Sequence, residues 1–410
     1  MNMIIVTLIG YFPRLEEFLY LRGIFNILIL VYLWKEFRIT DKVSKFIFIF
    51  VAYLFILCLF SSNIRLSLVM TVKTSLGMIV YMLGRRFFSN YQQFNRLLHY
   101  YKYLFILLLL TIVFSNILGI GQAGYGKDTD IKDSLIFGSV GVNITKLLII
   151  PILIAPVYLY HVRGKMNKQV TLGVIIIGII ITLIAFKRSS TLGLLGGGLV
   201  YAFLMQKSKL VKSLIYIVIV AYFSFPIYKD YLLSGFEARK SQLYYVSEES
   251  ESMEQEARYW ETVKVLKALK EDDLSHTIFG SEIFNEFDYF NVRRMLHIDY
   301  NVILNGSGIL GLFMFLIIYY YIIRKALFFY SKSTNEYIKL ISISVISMVV
   351  FAMLISVGGS VRSFDFRGPI FIYIGAALGF IECEFKRNWL IRHEQMHLRK
   401  LPVDNTILMK

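Results

Sequence analysis

The chain has 410 residues, 57% of them hydrophobic and 18% charged, with a mean hydropathy of +0.61. Soluble domains use roughly 45–50% apolar residues, so a soluble enzyme, a disordered chain and a collagen-like repeat are excluded. A formal net charge of +16 would suggest nucleic acid in a soluble protein, but in a membrane chain basic loops also set orientation.

The first apolar stretch, residues 1–12, has no basic leader and no A-x-A-like site and runs into Pro13-Arg14. It reads as a short or partial membrane segment rather than a cleavable signal. Runs of about 17 to 21 mostly apolar residues then recur, each able to cross roughly 30 Å of hydrocarbon as helix. They predict spans near 18–34, 44–60, 64–84, 100–120, 144–161, 169–186, 190–206, 210–226, 303–323, 338–357 and 368–383. The expected fold is an all-α polytopic membrane protein of about 11–12 transmembrane helices. Its expected parts are N-terminal membrane helices over 1–226, a large external loop over 227–302, C-terminal membrane helices over 303–383 and a basic cytoplasmic tail over 384–410.

Alternate inter-span segments carry the basic residues, among them Lys35 and Arg38, Arg85 and Arg86, Lys165 and Lys168, Lys207 and Lys209, and Arg324 and Lys325. By the positive-inside rule that side is cytoplasmic. The charge is then an orientation signal, and no nucleic acid partner is expected. Cys58 and Cys383 lie in or at the end of apolar runs and read as packing residues.

Residues 227–302 reverse the sign, with 9 Lys/Arg against 15 Asp/Glu and a net charge of −6. Within them Met253, Ala257, Trp260, Val263, Leu266 and Leu269 fall at helical spacing. This predicts an amphipathic helix over 253–269 that folds onto the membrane domain.

Several motifs have plainer readings. His393-Glu394-Gln395-Met396-His397 spells the zinc-binding H-E-x-x-H, but it stands in a short basic tail with only Asp404 as a third-ligand candidate and no surrounding fold to hold a substrate, so no metal is expected. Gly306-Ser307-Gly308-Ile309-Leu310-Gly311 matches a nucleotide-binding pattern without the preceding strand; its glycines read as close helix packing, as do Gly196-Gly197-Gly198. Asp128-Thr129-Asp130 is a three-letter match of little weight.

Ionisable residues at the external ends of spans matter more, because charge at membrane depth is costly unless paired or used. Arg188 sits in the short Lys187-Arg188-Ser189 turn between two spans, where a snorkelling cation is the plainer alternative. Arg258 falls in the loop helix, with Glu254 and Glu261 as ordinary ion-pair partners. His297 and Asp299 stand just before a span, where an imidazole suits proton transfer or simple anchoring. Arg293, Arg294, Arg362 and Arg367 are second-rank candidates for glycan or phosphate, followed by Lys73, expected to be buried.

Together these residues resemble the Wzy-type O-antigen polymerase and O-antigen ligase superfamily, membrane glycosyltransferases of the GT-C class. Lys187-Arg188-Ser189-Ser190 is similar to the family's basic turn. Arg258-Tyr259-Trp260 with Ile278-Phe279-Gly280 is similar to its R-x-W…P-x-x-G-x-G stretch, with Thr277 where a Pro is common and Ser281-Glu282 replacing the last glycine. His297 with Asn301, then Gly308 and Gly311, resembles its H-N-x-x-L…G-x-x-G entry, although Asn301 is four residues from the histidine. The resemblance implies a multi-pass enzyme of the bacterial cytoplasmic membrane with an externally facing active site. The expected donor is an undecaprenyl-pyrophosphate-linked oligosaccharide and no cofactor is required. Arg188, Arg258 and His297 would be catalytic; Lys187, Arg293, Arg294, Asp299, Arg362 and Arg367 would bind substrate. Its expected partners are the lipid bilayer and a chain-length regulator or flippase. A ligase, or a lipid-glycan flippase or transporter, is the alternative.

Overall fold

The computed structural model describes residues 32, 34–117, 138–162, 164–184, 188–205, 257–271, 273–285, 296, 298–359 and 363–400. All regular structure among them is helical: α1 (Lys42–Cys58), α2 (Ile64–Phe87), α3 (Tyr91–Ile117), α4 (Gly138–His161), α5 (Lys165–Ile184), α6 (Arg188–Leu204), α7 (Ala257–Glu271), α8 (Leu274–Phe279), α9 (Asp299–Lys332), α10 (Glu336–Ile355) and α11 (Phe364–Lys400), with short 3-10 turns at 34–36 and 356–358. Six of these, α2, α3, α5, α9, α10 and α11, are long and apolar enough to cross a bilayer, and α4 and α6 contribute shorter apolar stretches. Nine of the expected spans fall on described helices. The 210–226 span, residues 1–12 and nearly all of 18–34 lie outside the described residues.

Sequence signals fix several helix ends. Asp41 caps α1 by accepting from the Ser44 amide at 2.9 Å, and Asn63 caps α2 by accepting from the Leu66 amide at 3.1 Å. Arg85 and Arg86 occupy the last turn of α2, where cations oppose the carbonyl end of the helix dipole. α11 does not stop at the expected boundary of 383 but continues as helix to Lys400, so the expected tail begins as an extension of the last span.

Small residues set how closely the helices approach. α2 and α11 form the most extensive pairing, and a Cβ on Gly375 would fall 2.0 Å from the Tyr81 carbonyl oxygen. One on Gly84 would fall 2.2 Å from the Ile372 carbonyl oxygen, so only glycine lets these backbones touch. α6 meets α10 in a similar way: Gly193 lies against the Phe351 ring, Gly196 against Leu354, and the Ser347 hydroxyl donates to the Gly197 carbonyl at 3.1 Å. The expected burial of Lys73 is incorrect. The inward face of α2 carries Thr71, Thr74, Ser75 and Met78, and Lys73, one position away, is exposed. Cys58 is buried, whereas Cys383 is exposed and does not pack in the core.

At the basic end, four helices converge on a network of four ion pairs between two cations and two carboxylates. Lys325 of α9 lies 2.6 Å from Asp41 and also pairs with Glu382 of α11; Arg85 of α2 lies 3.3 Å from Asp41 and pairs with Glu382. Burial raises the pKa of the Asp41 carboxyl, but Lys325 and Arg85, with hydrogen bonds from Lys325 and Ser44, outweigh it and bring it down to about 2. This network ties α1, α2, α9 and α11 together at one level. Their opposite ends, together with α7 and α8, form the loop end.

Candidate functional site at the loop end

The described part of the large loop is built into the bundle. In α7, Glu261 and Val265 face inward, and the Asn301 amide of α9 donates to the Thr262 hydroxyl at 2.9 Å. Val263 and Leu266 are exposed. The expected apolar stripe is therefore rotated, because α7 meets the polar start of α9, where Asn301 rather than an apolar side chain receives it. The Thr277 hydroxyl donates to the Leu269 carbonyl at 2.9 Å and ties α8 to α7.

After α8 the chain enters a break in α9. Gly280 (φ 86°) ends α8, and Gly308 (φ 65°) interrupts α9 with non-helical backbone. The two segments touch main chain to main chain: a Cβ on Gly308 would lie 2.2 Å from the Ile278 carbonyl oxygen, and one on Gly280 2.4 Å from the Ser307 nitrogen. Such a break leaves carbonyls without helical partners, and non-helical backbone within a membrane domain must find others. The Ser281 amide donates to the Asn305 carbonyl at 2.8 Å, and the Tyr53 hydroxyl of α1 lies 3.0 Å from both the Ser307 and Phe279 carbonyls. Beyond this point Ile283 and Phe284 are buried, and the Ser67 hydroxyl of α2 donates to the Ile283 carbonyl at 2.6 Å.

Glu282 closes the connection on the α1–α2 turn. Its carboxylate accepts from the Ser61 hydroxyl at 2.9 Å, the Ser62 amide at 3.1 Å and the Asn285 amide at 3.0 Å. Burial raises its pKa, and these bonds outweigh that and hold it below the ordinary carboxylate value. Glu282 and Phe284 both have positive φ, 52° and 57°, a left-handed conformation that costs on the order of 1–3 kcal/mol per residue and persists where surrounding contacts impose it.

Beneath the break lies a buried charged pair. Arg367 of α11 and Asp299, the first residue of α9, are each about 1% exposed, with Nη2 2.6 Å from Oδ2. The same Nη2 donates to the Ser356 hydroxyl at 2.7 Å, Nη1 donates to the Tyr319 hydroxyl, and the guanidinium carbon stands 5.4 Å from the Phe315 ring centre. Asp299 also lies at a helix N-terminus, where a negative charge is favoured. The Arg367 Nε has no hydrogen-bond partner among the described residues. Close by in the chain fold, the Lys146 ammonium lies 3.5 Å from the Gly359 carbonyl, and the Tyr300 hydroxyl donates to the Met353 carbonyl at 2.7 Å.

The expected site residues divide into three groups. Asp299, expected to assist His297, and Arg367, expected to bind glycan or phosphate, are brought together and pair with each other inside the bundle. Arg188 opens α6 and Arg258 lies in the first turn of α7, both at the loop end, with side chains outside the described part. Lys187, Arg293, Arg294, His297 and Arg362 lie outside the described residues. Tyr53, Ser67, Glu282, Tyr319 and Ser356 were not anticipated, and the one readable signal for their meeting point was the glycine cluster at 306–311. Among the described residues no three His, Cys, Asp or Glu side chains converge to hold a metal ion.

Fold and site together define an all-α, multi-pass membrane protein in which residues 278–285 are fastened against an interrupted span. No protein-family model matches the chain, and no curated protein is significantly similar to it.

Proposed function

We propose that this protein is a bacterial polysaccharide polymerase of the O-antigen or capsule type, acting in the cytoplasmic membrane with its active site on the external side. In this reading the full chain has eleven or twelve spans in a GT-C-like arrangement. The proposal is supported by two arginine-bearing helix starts. Arg188 begins α6 and Arg258 lies in the first turn of α7, which packs on the entry of α9.

The chemistry suits such a pair. The bond between the donor sugar's anomeric carbon and the undecaprenyl pyrophosphate oxygen breaks as the acceptor hydroxyl oxygen bonds to that carbon. Negative charge develops on the departing pyrophosphate, where fixed guanidiniums stabilise it through bidentate hydrogen bonds. The acceptor proton passes to His297. Lys187, Arg293, Arg294 and Arg362 contribute to holding glycan or phosphate, while the Asp299–Arg367 pair fixes the entry of α9.

The test is elongation of lipid-linked repeat units by purified protein in detergent. Arg188→Ala and Arg258→Ala should each lose about 100-fold or more in rate, the scale of losing one transition-state hydrogen-bond donor. Unimpaired elongation in both variants defeats the assignment. The break at Gly308 favours a second reading, a lipid-glycan flippase or transporter, because interrupted spans line many transport sites. Elongation without any membrane compartment decides against it. Lipid-linked polymer accumulating unattached in a deletion strain would instead indicate a ligase.

A further inference from the structure

We infer that the cleft between α3, α4 and α5 at the basic end is a binding site for one anionic phospholipid, with its phosphate at Lys102 and His161 and an acyl chain along Phe105, Ile154 and Val174. The cavity there measures about 630 Å³ and its walls are mostly apolar. Its polar groups gather toward the basic end: Lys102 on α3, His161 at the end of α4 and Asn167 in the first turn of α5.

Two of these groups lack the partner that their chemistry requires. The Lys102 ammonium stands 5.5 Å from the Tyr158 ring centre and has no carboxylate within ion-pair distance among the described residues. The sequences of α3, α4 and α5 contain no Asp or Glu, yet they carry Arg96, Lys102, Lys146, Lys165 and Lys168. The buried Nε2 of His161 has no hydrogen-bond partner among the described residues. A cation at membrane depth is retained at a cost unless something negative meets it, and basic pockets between spans on this side suit anionic headgroups. The apolar walls specify the rest of the ligand. Val170, Leu172 and Ile176 on the outer face of α5 are exposed, which leaves that side of the cleft facing the bilayer. A small soluble anion would leave Ile106, Val170 and Val174 uncovered, whereas an acyl chain lying over the floor formed by Phe105 and Ile154 fills that space.

The experiment uses the full chain in micelles containing equal amounts of phosphatidylglycerol and phosphatidylcholine, with retained lipids counted by native mass spectrometry. Phosphatidylglycerol should be retained about fivefold or more over phosphatidylcholine, the scale of one cation's attraction to an anionic lipid. Lys102→Gln should remove most of that preference while lipid still binds. Val170→Trp, at an exposed rim position that tolerates substitution, should reduce retention of both lipids by filling the mouth. Equal retention of the two lipids by the unmodified protein overturns the proposal. So does a phosphatidylglycerol preference that survives Lys102→Gln unchanged, or retention of both lipids that survives Val170→Trp unchanged, since the lipid would then lie elsewhere.

Discussion

Removing Asp299 tests the central pair most directly. In Asp299→Ala, Arg367 keeps the Ser356 and Tyr319 hydroxyls but loses its only carboxylate among the described residues, while remaining about 1% exposed. The guanidinium has no route to water, because Gly77 lies against its Cβ and the Phe315 ring stands beside its charged group. Breaking a buried pair by removing one member typically costs 3–5 kcal/mol, much more than the net worth of the intact pair. We therefore expect Asp299→Ala to lose about 3–5 kcal/mol, measured as equilibrium unfolding in detergent or bicelles. Replacing both residues, as Asp299→Ala with Arg367→Met, should recover much of that loss because no lone charge is left. A double-mutant cycle isolates the coupling. If Asp299→Ala costs under about 1 kcal/mol, the size of an exposed ion pair, the guanidinium is reaching solvent and the account of a sealed pair is wrong.

The glycine contact between α2 and α11 predicts that Gly375→Ala, whose methyl would meet the Tyr81 carbonyl at 2.0 Å, loses roughly 1–3 kcal/mol through overpacking. Gly198→Ala, with nothing within 4 Å, should be neutral in the same unfolding assay, and equal effects would refute the contact. Because the folded pKa of Asp41 is depressed to about 2, its stabilisation is complete above the unfolded carboxyl range near 4 and is lost as pH falls toward 2. Asp41→Asn should therefore lower the unfolding temperature at pH 7 and flatten its fall between about pH 4 and 2; an unchanged acid limb counts against the network. Gly308→Ala combines positive φ with a 2.2 Å approach to the Ile278 carbonyl. It should release the 278–280 segment, seen as faster thiol labelling of a cysteine placed at Thr277, and unchanged labelling would argue against the clamp.

Hydropathy made the spans legible because length and apolarity alone decide whether a helix suits a bilayer. The facing of each helix was less legible. Lys73 was expected inside α2, but Thr71, Thr74 and Ser75 occupy that face, and a small neutral hydroxyl costs far less to bury than an ammonium. In α7 the periodicity of apolar residues pointed toward Val263 and Leu266, while the packed face carries Glu261 and Val265. The glycines at 196–197 and 306–308 could be read as contacts from composition, but the role of Gly84 and Gly375 depends on which helices meet. Asp299 and Arg367 are 68 residues apart, and each was readable as a costly charge without any indication that the other satisfied it.

The fastening of residues 278–285 has a consequence for biosynthesis. Its receiving groups Tyr53, Ser61 and Ser67 are more than 200 positions upstream, so they emerge from the ribosome long before Phe279, Glu282 and Ile283. Asn305 and Ser307, which complete the socket, are translated last. At roughly 5–20 residues per second, Ile283 and Phe284 wait a few seconds uncovered until the helix that receives them has threaded into the bilayer. The order of translation thus makes insertion of α9 the event that converts a tethered polar segment into part of the embedded body.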